Sequence, residues 1–75
     1  MTVYELIEHN YYIDSTTSML FRNKDDAISK MVDRKAYYII SGEMVTLEDS
    51  DTKVILGWKP NDVYATLKII ERKLL

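Results

Sequence analysis

Cysteine is absent from this 75-residue chain, so disulfides cannot hold its fold together. Its one histidine, His9, is too few for a zinc site, which usually takes about three or four nitrogen and sulfur ligands. A chain of this length buries only about 60% of the surface that its unfolded state exposes, so its stability is small. We therefore expect one domain over residues 1–75 that is held by apolar packing, with homodimerisation as the remaining route to extra stability.

Residues 24–35 carry the clearest helical pattern. Asn23 is a good N-cap, and Asp26 follows it at the spacing of a capping box. One face of the segment is apolar at helical spacing, through Ala27, Ile28, Met31 and Val32. Arg34 and Lys35 then suit the last turn, where the helix dipole favours cations. The sequence therefore predicts a helix over about 24–35.

The chain before this helix favours a β-hairpin. Residues 3–12 are rich in β-forming side chains, a turn is expected near Asp14, and residues 18–21 lead directly into the helix cap. Thr2 and Glu5 also have capping-box spacing, so a helix near the N-terminus is the alternative. The strand interpretation is preferred.

The chain after the helix favours further strands. Residues 37–40 are predicted to begin a strand that breaks at Gly42. Residues 44–47 alternate apolar and polar side chains, and 52–58 resume an apolar run. The polar tip between them, 48–51, resembles a turn, so these segments indicate a second hairpin.

After a turn marked by Pro60, residues 63–75 fit two patterns. Some apolar residues of this segment alternate with polar ones, which favours a strand, whereas a different set of its apolar residues recurs at helical spacing. The strand is preferred because Tyr, Val, Thr and Ile occur there. The predicted fold is therefore α+β, a small antiparallel sheet of four to five strands with the helix, about 24–35, packed on one face. Helical N- and C-terminal segments are the alternative.

Residues that could carry catalysis are few. His9 is the only side chain that ordinarily titrates near neutral pH, and its neighbour Glu8 would point to the opposite face of a strand. The run from Ser15 to Ser18 lacks the glycines of a phosphate-binding loop. The acidic run 48–51 lacks the ligand spacing of a calcium-binding loop. We predict that the protein is not an enzyme and uses no catalytic residue, cofactor or metal.

Acidic and aromatic side chains are the candidates for partner binding. The acidic candidates, here called the acidic block, are Glu43, Glu48, Asp49 and Asp51, and the aromatic candidates are Tyr37 and Trp58. Aromatic residues are enriched at protein interfaces. In a strand, each of the Tyr pairs at 11–12 and 37–38 would place one ring outward. These six candidates predict a non-enzymatic protein-binding module.

The stretch from Met19 to Ile28, MLFRNKDDAI, resembles a pattern common in tiny bacteriophage orphan proteins. In that pattern a strand ends in Phe, a polar cap with Lys and acids follows, and Ala opens a helix. The resemblance implies an early or host-takeover protein that inhibits or modulates one host protein by occupying its surface. Because some such proteins mimic DNA with arrays of carboxylates, it also implies a DNA mimic as an alternative.

The DNA-mimic hypothesis has a specific partner. The acidic block would bind the basic DNA-binding face of a nucleoid-associated or transcription protein, joined across a dimer by Glu5, Glu8 and Asp14. A third hypothesis is a small nucleic-acid-binding protein that uses the basic segments 22–35 and 52–75. The net charge of −2 opposes direct nucleic-acid binding.

Signals for membrane insertion and secretion are absent from the sequence. The longest charge-free stretches, such as 36–42 and 54–58, are far shorter than the roughly 20 apolar residues that cross a membrane. The N-terminus lacks the pattern of a secretory signal. We therefore expect a cytoplasmic protein, in the host cytoplasm if a phage encodes it. Because unpaired edges invite pairing, we also expect 63–75 to be an edge that contributes to a homodimer, with Trp58 or a Tyr pair near the interface.

Overall fold

The computed structural model describes residues 1–74, and within them five strands and one helix. In chain order they are β1 (Thr2–Asn10), β2 (Ser15–Phe21), α1 (Lys24–Gly42), β3 (Val45–Asp49), β4 (Lys53–Lys59) and β5 (Asp62–Lys73). The strands form one antiparallel sheet in the order β2-β1-β5-β4-β3, and α1 packs on one face of it. The predicted α+β class is confirmed, both predicted hairpins are present, and both terminal segments are strands. Leu75 lies outside the described residues.

β5 occupies the centre of the sheet, so the expectation that residues 63–75 form an edge is wrong. This strand pairs with β1 on one side and with β4 on the other. Its alternating apolar residues Ala65, Leu67 and Ile69 are buried in the core against α1. A long apolar strand is favoured at the centre because both of its edges are then hydrogen-bonded and one face is covered.

α1 continues to Gly42, so two predictions are wrong: that the helix ends near residue 35, and that residues 37–40 begin a strand. Ala27, Met31 and Tyr38 recur at helical spacing, and all three are buried. Burial of the Tyr38 ring on this stripe outweighs the β preference of the run Tyr-Tyr-Ile-Ile, since β propensity depends strongly on packing context.

The ends of α1 are defined by the residues next to them. The side chain of Asn23 accepts a hydrogen bond from the backbone N–H of Asp25 at 3.1 Å, which confirms its predicted role as N-cap. At the other end, Glu43 has φ 55°, the left-handed conformation that often ends a helix. Because the helix ends there, Arg34 and Lys35 lie in its middle and not in its last turn.

A β-bulge at Tyr64 shapes the core. The pairing of β4 with β5 steps from Leu56↔Ala65 to Gly57↔Val63, which leaves Tyr64 as an extra residue on β5. The Tyr64 side chain packs against the buried cluster between α1 and the sheet. That cluster consists of Leu6, Ala27, Met31, Tyr38, Met44, Val54, Leu56, Ala65, Leu67 and Ile69.

The two ends of the sheet carry different connections. At one end, α1 finishes beside the β1–β2 turn, residues 11–14, and the β4–β5 turn, residues 60–61. At the other end, α1 begins on the side of the β3–β4 turn, residues 50–52. Aromatic side chains gather at the first of these ends, and the candidate site lies there.

Candidate protein-binding surface

A continuous series of aromatic rings connects the sheet to α1. Tyr12 packs against Tyr64 with ring centroids 4.8 Å apart and against Trp58 at 5.8 Å. Trp58 and Tyr64 meet edge to face at 5.3 Å. The series continues through Tyr38, 6.0 Å from Tyr64, to Tyr37 at 5.5 Å. Such tilted and edge-on arrangements are favourable for aromatic pairs, so contacts between the rings stabilise their positions.

Several large apolar side chains at this end face solvent. Ile40 is 78% exposed, Ile13 71% and Tyr12 63%, and the rings of Tyr37 and Trp58 are about half exposed. We call these five residues the aromatic end. Ile13 and Tyr37 line a cavity of about 240 Å³ together with Tyr38 and Tyr64. Exposed apolar surface gathered in one place is typical of a protein-interaction site.

Trp58 is fixed in place by the end of the helix. Its indole N–H donates a hydrogen bond to the carbonyl oxygen of Gly42 at 3.1 Å. That carbonyl belongs to the last turn of α1, whose carbonyls have no partner within the helix. The hydrogen bond therefore satisfies the helix end and holds the indole ring at the surface.

A charged network lies under the same surface. Arg34 donates from Nε and Nη2 to the two carboxylate oxygens of Glu8, each at 2.8 Å, and the Tyr38 hydroxyl donates to the same carboxylate. The guanidinium group also lies over the Tyr37 ring, 4.9 Å from its centroid. The network ties β1 to the middle of α1 and sets the position of Tyr37.

The network shifts the pKa of each of its members. Burial raises the pKa of Tyr38, and its hydrogen bond to Glu8 adds to this effect, so that the value reaches about 12. Burial opposes ionisation of Glu8, but the hydrogen bonds from Arg34 and Tyr38 outweigh it and hold the pKa of Glu8 below its ordinary value. The hydrogen bonds to Glu8 raise the pKa of Arg34. Glu8 is therefore a structural anion that is already saturated with donors.

Tyr38→Phe is expected to reduce the loss of stability at alkaline pH. Because the folded state raises the pKa of Tyr38 from 10.0 to about 12, its contribution is complete below pH 10 and is lost as pH rises toward 12. After allowance for solvent screening, we expect wild type to lose about 1 kcal/mol more than the variant over this interval. Denaturant unfolding of wild type and Tyr38→Phe at a series of pH values measures this difference in free energy. Tyr37→Phe, which removes an exposed phenol, should follow the wild-type curve, and equal slopes for wild type and Tyr38→Phe would contradict the prediction.

The predicted aromatic candidates Tyr37 and Trp58 both belong to the aromatic end. The acidic block, by contrast, is divided along the molecule. Glu43 caps α1 at the aromatic end, whereas Glu48, Asp49 and Asp51 lie toward the opposite end, on β3 and its turn.

Two members of the acidic block are paired with cations. The Lys35 ammonium donates to Asp49 at 3.1 Å, and Lys53 lies 3.7 Å from Glu48. These pairs are exposed and contribute little stability, but they reduce the negative potential of the block.

His9 occupies a polar site on β1. Its Nδ1 lies 2.7 Å from the Thr16 hydroxyl, its Nε2 lies 3.6 Å from Asp14, and its ring meets Tyr11 edge on at 4.4 Å. Across residues 1–74, no group of three His, Cys, Asp or Glu side chains is arranged to hold a metal ion.

Sequence reasoning missed two members of the aromatic end, Ile13 and Ile40, and it considered Tyr12 only as one ring of the pair 11–12. A weak signal for Ile13 was its place beside a predicted turn at Asp14. Ile40 gave no such signal, because an exposed isoleucine in an apolar run looks the same as a buried one. The contact of Glu8 with Arg34 was also missed, since 26 positions separate them in the chain.

Comparisons with known proteins add no functional assignment. Searches of protein-family models, of curated proteins and of solved structures find no match to this chain. Among the described residues, the single helix α1 is not long and apolar enough to cross a membrane.

Proposed function

We propose that this chain is a non-enzymatic protein-binding module that uses its aromatic end to occupy the surface of another protein. The observation that carries the proposal is the aromatic end itself, where large exposed apolar side chains come from the last turns of α1, the β1–β2 turn and the end of β4, and where Tyr12 packs against Trp58. By the resemblance of residues 19–28, we further propose a bacteriophage protein that inhibits or modulates a host protein in the host cytoplasm.

Two side chains of the aromatic end are held in fixed positions by neighbouring groups. Trp58 is held by Gly42, and Tyr37 is held under the guanidinium group of Arg34. Side chains that are already held lose little conformational entropy when a partner covers them, so more of the contact energy appears as affinity. Tyr and Trp are also the residues that most often dominate binding energy at interfaces.

The chemistry of the partner follows from the surroundings of these side chains. Charges of both signs border the aromatic end, with Asp14, Glu43, Lys59 and Asp62 near its turns. An apolar centre with a mixed polar rim is the usual composition of a protein–protein interface. The partner we propose is therefore a folded protein with an exposed apolar patch, and not a nucleic acid or a highly basic surface.

Ile40→Glu is expected to weaken partner binding by about tenfold or more, because it places a charge on the exposed apolar surface that the proposed partner covers. The variant should fold normally, since Ile40 is 78% exposed. Val32→Glu is the matched control, as Val32 is exposed on the same helix but lies away from the aromatic end. The partner is first captured from bacterial lysate by the immobilised wild-type chain, and its affinity for each variant is then measured by titration.

Two results would contradict this proposal. One is that Ile40→Glu and Val32→Glu bind the captured partner equally well. The other is that no protein is captured at any salt concentration. Binding that weakens steeply with salt and competes with DNA would instead support the DNA-mimic hypothesis, since exposed charges are screened by salt.

A further inference from the structure

The outer edge of β2 is unusually open to pairing with another strand. Within residues 1–74, β2 pairs with β1 alone, in an uninterrupted register from Tyr4↔Phe21 to Asn10↔Ser15. Its sequence, STTSMLF, contains no charged residue and no proline. Its apolar residues Met19 and Leu20 are 46% and 63% exposed. A regular, uncharged edge strand with exposed apolar side chains is a template for pairing.

The opposite edge of the sheet, β3, has the features that prevent such pairing. It is five residues long, compared with seven for β2, and its register shifts between Thr46 and Glu48. It also carries the two acids Glu48 and Asp49. Short length, a bulge and charge are the devices by which natural edges avoid other strands. Their presence on β3 and not on β2 makes β2 the edge available to a second chain.

We propose that β2 pairs antiparallel with β2 of a second copy of this chain, about a two-fold axis at Ser18, to form a continuous ten-stranded sheet. This register places Ser18 opposite Ser18 of the second copy. It places Thr17 opposite Met19, Thr16 opposite Leu20, and Ser15 opposite Phe21. Each exposed apolar residue of β2 is then covered by a small or β-branched side chain, a favourable type of cross-strand pair.

A second copy fits this edge because β2 is complementary to itself. Isologous pairing of an uncharged strand brings no like charges together along the strand. Two cations, Lys30 and Arg34, line the groove above Met19, and Arg34 is already paired with Glu8. Only the Lys30 charge of each copy is then left in that groove without an ion pair among the described residues.

The antiparallel arrangement also separates the aromatic end of one copy from that of the other. Because the two β2 strands run in opposite directions, the aromatic ends of the two copies lie at opposite ends of the extended sheet. The β2 interface and the proposed partner-binding surface can therefore be disrupted independently.

Sedimentation equilibrium of the full chain tests the proposal. We expect wild type to be a dimer, and Ser18→Lys to raise the dimer dissociation constant by about tenfold or more, because like charges that face each other across an interface are strongly unfavourable. Ser18→Glu should have the same effect alone. A mixture of the two variants should recover a heterodimer, since the opposite charges then face each other. Thr46→Lys, on the exposed edge strand β3, is the matched control and should remain a dimer.

Two results would overturn the proposal: a monomeric wild type at its highest soluble concentration, or a mixture of Ser18→Lys and Ser18→Glu that stays monomeric. Thermal unfolding establishes that each variant is folded, which is expected because Ser18 is exposed. If a variant does not fold, hydrogen exchange of wild type tests instead whether β2 pairs with a second copy. The proposal requires slow exchange in β2 that accelerates on dilution, and exchange independent of concentration contradicts it.

Discussion

Replacing Gly57 with alanine is expected to lower the free energy of unfolding by about 3 kcal/mol or more. Gly57 lies in β4 at the point where its register with β5 shifts, and the two backbones approach closely there. A Cβ atom at this position would overlap the carbonyl oxygen of Asp62 and lie 3.1 Å from the Cα of Val63. Because these are backbone atoms of the central strand, they cannot move aside without disturbing its pairing. Denaturant unfolding of both proteins measures the difference.

Gly42→Ala is the matched control for this substitution. A Cβ atom at Gly42 would meet the terminal methyl carbon of Met44 at 2.9 Å, and that flexible side-chain end can move. Alanine also costs less backbone entropy than glycine in a helix, by about 0.5–1 kcal/mol. We therefore expect a small net change for Gly42→Ala. Similar losses for the two substitutions would show that close backbone packing at Gly57 is not the cause.

Glu8→Gln is expected to lower the free energy of unfolding by about 2 kcal/mol. The side chains of Glu8 and Arg34 are 16% and 34% exposed, so their pair lies between a surface ion pair, worth about 0–1 kcal/mol, and a buried pair, whose disruption costs about 3–5 kcal/mol. The substitution leaves the guanidinium group without its anion beneath the aromatic end. Glu5→Gln is the control, because Glu5 lies on the same strand and its partner Arg72 is 52% exposed, compared with 34% for Arg34.

The pH dependence of stability provides a second measurement of the same contact. The folded state lowers the pKa of Glu8 from 4.5, so its contribution is present above that pH and is lost as pH falls through the folded-state value. Wild type should therefore lose more stability than Glu8→Gln when the pH is lowered below 4.5. Parallel pH profiles for the two proteins, or a loss for Glu5→Gln as large as that for Glu8→Gln, would contradict the assigned role of the network.

Two residues of the candidate surface were predicted from the sequence. Tyr37 and Trp58 were identified because aromatic residues are common at interfaces, and the structure places both at the aromatic end. Trp58 contacts Tyr12 of the β1–β2 turn and Tyr64 of β5, whereas Tyr37 contacts Tyr38 on its own helix. No local pattern reports which distant strands will bring their rings together. The role of these residues in binding stays a prediction that the Ile40→Glu comparison tests.

The acidic block, unlike the two aromatic candidates, is not gathered at one end of the molecule. Its residues are close in sequence, which suggested one anionic surface. In the structure, β3 extends between Glu43 and the turn that holds Asp51, and α1 supplies Lys35 to pair with Asp49. A strand separates its ends by about 3.3 Å per residue, so neighbours in sequence need not share a surface.

Elements that depend on adjacent residues were predictable from the sequence. The cap at Asn23, the turns near Asp14 and Pro60, and the alternation within 63–75 predicted where the helix begins and where the strands turn. These features follow from backbone preferences and hydrogen bonds within a few residues. They were sufficient for the α+β class, and the absence of cysteine was sufficient to exclude disulfides.

The length of α1, the identity of the central strand and the composition of the exposed surface depend on contacts between distant segments. The helix continues to Gly42 because Tyr38 is buried against a sheet whose strands come from both sides of it in sequence. β2 becomes an open edge because β5 pairs with β1 and β4. The aromatic end forms because α1 and two turns finish at the same end of the sheet. Each outcome depends on burial and pairing between distant segments, and local sequence preferences carry no information about those contacts.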